Sequence, residues 1–102
     1  MTFKRRDKNH TEIIKVLRKF GALVFDTADI GKGFPDVVCS ISDVLYFIEI
    51  KDGSKPPSQQ KLTPSEAEFH RQWAHHVVII NSIDSAIQFV NKVRVNASFK
   101  MP

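Results

Sequence analysis

The sequence predicts an α/β fold, a small mixed sheet flanked by helices with elements in the order α-β-β-β-α-β-α. Three observations predict it. Two apolar runs, Val37–Ile41 and Val44–Ile50, are rich in Val, Ile, Leu, Phe and Tyr and are separated only by Ser42-Asp43, which is the pattern of a β-hairpin. Apolar residues at helical spacing lie on either side, at Ile13, Val16, Leu17 and Phe20 and again at Ile83, Ala86, Ile87, Val90 and Val93. A helix start at Thr63-Pro64-Ser65-Glu66 precedes the last apolar run, Val77–Ile80.

Taken in order, residues 1–8 read as a basic, flexible arm. Asn9 with Glu12 three residues later has capping-box spacing and opens the first helix, which Gly21 ends as a C-terminal cap. Residues 22–25 form a short strand candidate. Residues 26–33 are a loop in which Gly31 and Gly33 give backbone freedom beside Pro35-Asp36. The hairpin occupies about 36–41 and 44–51. Residues 52–61, DGSKPPSQQK, are a polar loop built on Gly53, Pro56 and Pro57. The second helix runs from Pro64 to about residue 74, with Phe69 and Trp73 as core residues. Residues 76–81 contain a buried-strand run, and the last helix starts near Ser82 and ends near Val95. The tail, 96–102, is expected to fray. No repeat or second domain interrupts residues 1–102, a length suited to one domain with a modest core.

Composition narrows the function classes. With 42% hydrophobic and 25% charged residues the chain has the make-up of a globular domain. No apolar run is long enough to span a membrane. MTFKRRDKNH has basic residues with no apolar stretch after them, so a secretory signal is not expected. One cysteine, Cys39, rules out an intrachain disulfide and reads as a small buried apolar residue in a reducing compartment. The net charge of +4, from 15 Lys and Arg against 11 Asp and Glu, is concentrated at Lys4, Arg5, Arg6 and Lys8 and around Lys51, Lys55 and Lys61. Such clustering suits a polyanionic partner.

The hairpin carries the candidate chemistry. If Ile41 faces Val44, pairing outward brings Asp36 opposite Glu49. Two carboxylates at about 4 Å repel by roughly 4 kcal/mol at an effective dielectric near 20, a cost that a divalent cation between them reverses. Lys51, two residues beyond Glu49, shares its face. A loop of two or four residues keeps this register, whereas a loop of three sends the carboxylates to opposite faces. Asp and Glu oxygens suit Mg²⁺, and a lysine beside them suits phosphodiester hydrolysis. The chain has no Ser-His-Asp arrangement in a nucleophile elbow, no phosphate loop and no dinucleotide fingerprint.

Pro35-Asp36 followed by Glu49-Ile50-Lys51 resembles the PD-(D/E)XK nuclease signature. The ordered segments Asn9/Glu12, Gly33-Phe34-Pro35-Asp36, Glu49-Ile50-Lys51-Asp52-Gly53, Lys55-Pro56-Pro57, Lys61-Leu62-Thr63-Pro64 and Phe69-His70 before Trp73 resemble, more narrowly, a stand-alone VRR-NUC domain of phage or prophage type. The resemblance covers about residues 6–90. It implies a restriction-endonuclease-like core and a Mg²⁺- or Mn²⁺-dependent endonuclease acting on DNA, including branched, flapped or Holliday-junction-like DNA, in the cytoplasm of a bacterial host cell. It implies Asp36, Glu49 and the Ile50 carbonyl as metal ligands, Glu12 as a further acidic ligand and Lys51 as the catalytic lysine. Arg5, Arg6, Lys8, Lys55 and Lys61 are the expected nucleic-acid contacts. Glu66 stands where related sequences often carry Gln, and its capping role is sufficient to account for it. His10, His70, His75 and His76 read as surface or packing residues, with His10 placed to face DNA, and Asp43 and Asp52 as turn residues. No organic cofactor is expected. One chain supplies one site, so cutting both strands calls for a homodimer. The competing expectation is a nucleic-acid-binding module without catalysis on the same basic surface.

Overall fold

A computed structural model describes residues 7–100, with side chains through residue 97. Its strands form one sheet in the order β1 (Leu23–Asp26), β2 (Val37–Ile41), β3 (Val44–Ile50) and β4 (Val77–Ile80). The β1/β2 and β2/β3 pairs are antiparallel and β3/β4 is parallel, so the sheet is mixed. With α1 (His10–Lys19), α2 (Pro64–Gln72) and α3 (Ile83–Lys100) the expected element order holds, and one unforeseen 3₁₀ turn occupies Pro57–Gln59. The parallel pair needs a crossover connection, and α2 lies within it.

Ser42 and Asp43 both have left-handed backbone angles, φ 52° and 66°. A two-residue turn with both φ values positive matches the right-handed twist of its strands. It fixes Ile41 against Val44 and, four steps out, Val37 against Ile48. Asp36 and Glu49 are the next positions outward, so the two-residue register is the one adopted.

Alternation along the strands divides the sheet into two faces. Val37, Cys39, Ile41, Ile48, Ile50 and Ile80 are buried on one face against Ile13, Ile14 and Leu17 of α1 and Ala86, Val90 and Val93 of α3. The helices reach this core because their apolar residues recur about every 3.6 positions, and α1 and α3 also pack on each other. On the other face Phe47 meets Phe34, Phe69 and Trp73 edge to face, at centroid distances of 5.8, 5.3 and 5.5 Å. Trp73 remains 45% exposed and is therefore the rim of this cluster rather than core. Leu23, Phe25 and Leu45 occupy the same face and are exposed.

Four sequence expectations change. Asn9 makes no side-chain cap to α1, because its amide is engaged elsewhere, so the box with Glu12 does not form. The last helix runs through Val95 to Lys100, five residues beyond its expected end. β4 is an edge strand with Ile79 half exposed, because only β3 pairs with it among the described strands. His10 is buried, 3.2 Å from Asp26, and faces the protein interior rather than outward. Gly21 does end α1, with φ 93° and its N–H bonded to the Arg18 carbonyl.

Candidate functional site

Asp36 precedes β2 by one residue, after a segment that Gly33 lets turn sharply. Gly33 has φ 83°, and a Cβ there would lie 2.5 Å from the Ser65 carbonyl oxygen, so only glycine lets this loop pass the start of α2. Thr27 holds the loop's far side, its hydroxyl donating to the Pro35 carbonyl at 2.8 Å. Asp36 is 5% exposed, and its Oδ2 accepts the Ile50 N–H at 2.8 Å. The Ile50 N–H thus points toward β2, while the Lys51 N–H points to β4 and donates to Ile80. In a strand the N–H and C=O of one residue lie on the same side, so the Ile50 carbonyl is also directed toward β2.

Glu49 is 1% exposed and lies on the α2 face of β3 with Phe47 and Lys51. Helix α2 meets it with His70, whose Nε2 is 3.8 Å from Glu49 Oε1, too long for a hydrogen bond. Burial holds the His70 imidazole below its ordinary pKa; Glu66 opposes this shift and Lys51 adds to it. One turn earlier on α2, Glu66 Oε1 is 2.9 Å from Lys51 Nζ. Glu66 also completes the capping box with Thr63, as expected from the sequence. Its contact with Lys51 was not legible there, because nothing local ties the start of α2 to the end of β3.

Asp7 was also missed. It stands within the basic run KRRDK, which reads as a solvated arm, yet burial raises its carboxyl pKa above the usual range. Lys51 and Lys55 oppose that rise, while Asp36 and Asp52 add to it, so Asp7 feels the charges of the candidate site. Asp52 Oδ1 accepts both the Ser54 N–H and its hydroxyl, which hold the Asp52 carboxyl below its ordinary range; Lys55 and then Lys8 act in the same direction. Lys8 and Lys55, far apart in sequence, thus both act on the Asp52 carboxyl. Lys61 is exposed. Arg5 and Arg6 lie outside the described residues.

Glu12 is exposed on α1 and lines a cavity of about 480 Å³ with Asn9, Asp52, Ser54, Asn81 and Asp84, a lining that includes neither Asp36 nor Glu49. Helix α1 packs on the face of the sheet opposite the one Glu49 and Lys51 share. Among the described residues no three Asp, Glu, His or Cys side chains gather closely enough to hold a metal ion. The smaller set of Asp36, Glu49 and the Ile50 carbonyl has the oxygen-donor chemistry of a hard divalent cation, since Mg²⁺ is commonly held by one or two carboxylates and keeps several waters. Neither a scan against protein-family models nor a search of curated proteins returns a match to this chain.

Proposed function

We propose that the chain is a Mg²⁺- or Mn²⁺-dependent endonuclease of the restriction-endonuclease-like class, hydrolysing phosphodiester bonds in DNA. One observation carries this reading: two buried carboxylates, Asp36 and Glu49, follow the last registered pair of the hairpin, and Lys51 shares their face of the sheet. Asp36, Glu49 and the Ile50 carbonyl would hold the cation. When bound, it would supply positive charge to the phosphate and a more acidic water. Lys51 brings an ammonium to the same place, where as a point charge it lowers the cost of negative charge growing on the phosphate oxygens. Lys8, Lys55 and Lys61 hold the backbone on either side. A second copy of the chain would bring the second site needed to cut both strands.

Cleavage of branched and linear DNA with Mn²⁺ or Mg²⁺ tests the reading. Asp36→Ala and Lys51→Ala should each lower cutting by about 100-fold or more, the scale of losing one charge-stabilising group, with DNA binding largely kept. A native protein that binds but cuts no DNA or RNA would instead favour the non-catalytic binding module. The lining of the Glu12 cavity, which includes neither Asp36 nor Glu49, is the observation on that side.

A further inference from the structure

We infer that Glu66 is a positioning residue for Lys51, an inference that rests on the nuclease reading above. A glutamate that only completes a capping box can do so at the surface. Glu66 is 4% exposed, and its Oε1 accepts two hydrogen bonds at 2.9 Å, from the Thr63 N–H and from Lys51 Nζ. The Thr63 hydroxyl in turn accepts the Glu66 N–H at 3.2 Å. The carboxylate is thus held by the Thr63 N–H while the Thr63 hydroxyl holds the backbone it projects from, and what it presents to the sheet is a fixed acceptor.

Lys51 needs one. Its side chain is a flexible four-carbon stem carrying a rotatable ammonium, and here that side chain is only 12% exposed. Held against Glu66, it keeps one position relative to Glu49, two residues earlier on the same strand face. Helix α2 therefore sets the geometry of a group that β3 supplies. The oxygen matters more than the charge, because the amide oxygen of glutamine at this position can accept the same two hydrogen bonds.

Four proteins separate this role from simple docking of α2: native, Glu66→Ala, Glu66→Gln and Thr63→Ala. Each is measured for melting temperature, for Mn²⁺-dependent kcat and KM on a branched DNA, and for the NMR signal of the Lys51 ammonium protons, visible when a partner slows their exchange. Glu66→Ala should lose the ammonium signal and about 100-fold in kcat, the scale of a misplaced group, with little change in KM. Glu66→Gln should keep the signal and recover most of that rate. Thr63→Ala removes the other half of the capping box, so it should lower the melting temperature while kcat stays near native. Equal kcat in Glu66→Ala and native protein would overturn the inference. So would a kcat loss in Thr63→Ala as large as in Glu66→Ala, or a Lys51 signal indifferent to Glu66. If Glu66→Ala does not fold, Glu66→Gln decides, and loss of its ammonium signal with cutting intact overturns the inference. Native protein that cuts nothing overturns the nuclease reading, whereas the ammonium signal still reports whether Glu66 holds Lys51.

Discussion

Asn9 stands where a helix cap belongs, and its side chain does something else. The amide nitrogen donates at 3.1 Å to the carbonyls of Lys51 and Asn81, the residues that follow β3 and β4. It ties the ends of the two parallel strands to the start of α1, directly behind the candidate site. Asn9→Asp replaces the donor by an acceptor facing two carbonyls, and Asn9→Ala leaves both carbonyls without it. Either change should cost about 1–3 kcal/mol, read as a lower denaturant midpoint at unchanged m-value. Cys39 is the opposite case, a residue whose sequence reading suffices. It is fully buried, and burial pushes its thiol up to about 11. A thiol raised in the folded state favours folding below its unfolded value and loses that contribution as pH climbs through the folded one. Cys39 should resist alkylation at pH 8 until the chain is unfolded, and native protein should lose stability relative to Cys39→Val between pH 8 and 11. At this scale the sequence made Asp36, Glu49 and Lys51 legible because strand alternation is a local rule. Asp7, Glu66 and the true partners of Asn9 were not legible, since their contacts join segments that no periodicity connects.

Among the elements, the hairpin organises the candidate site, and its turn is chemically imperfect. Ser42 and Asp43 carry side chains at two left-handed positions that Asn-Gly fills more easily. The double change Ser42→Asn with Asp43→Gly should stabilise the protein by on the order of 0.5–1 kcal/mol, because relief of strain exceeds the entropy glycine adds to the unfolded chain. Thermal melting checks it, and a lowered midpoint would mean that the turn is not strained. Gly33 gives the contrary prediction. Gly33→Ala adds a methyl against the Ser65 backbone at positive φ, so it should cost about 1–3 kcal/mol or more. It should also weaken cutting, since α2 must shift to make room. Strand and helix identities were legible from period and caps, and α2 opened at Pro64 with its box intact. The end of α3 was not, because the residues after Val95 lack an apolar repeat yet continue as helix to Lys100. The 3₁₀ turn at Pro57–Gln59 was hidden in a stretch whose prolines read only as loop.

At the scale of the whole molecule, α1 and α3 close one face of the sheet, while α2 covers part of the other. The site lies where the start of α2 meets the end of β3. A net charge of +4 over 102 residues is too diffuse to steer a polyanion there unless the cations are gathered. Two of them, Lys8 and Lys55, both lower the pKa of the Asp52 carboxyl, although the arm and the loop that carry them are remote in sequence. Exposed charges cooperate over about 8–10 Å at physiological salt, so a pair at one carboxylate presents a single positive rim. Each phosphate such a rim neutralises contributes about −0.9 to the slope of log binding constant against log salt for duplex DNA. Binding measured by fluorescence anisotropy across a salt series, without divalent metal so that nothing is cut, should show a shallower slope for Lys55→Ala by about 0.9 and for the Lys8→Ala/Lys55→Ala pair by about 1.8. Lys92→Ala, on α3 in a cavity it lines with Tyr46, Val78 and Phe89, should leave the slope as it is. Should all three variants keep the native slope, the DNA does not lie across this end of the sheet, and the carboxylates beside it would have no phosphate to act on.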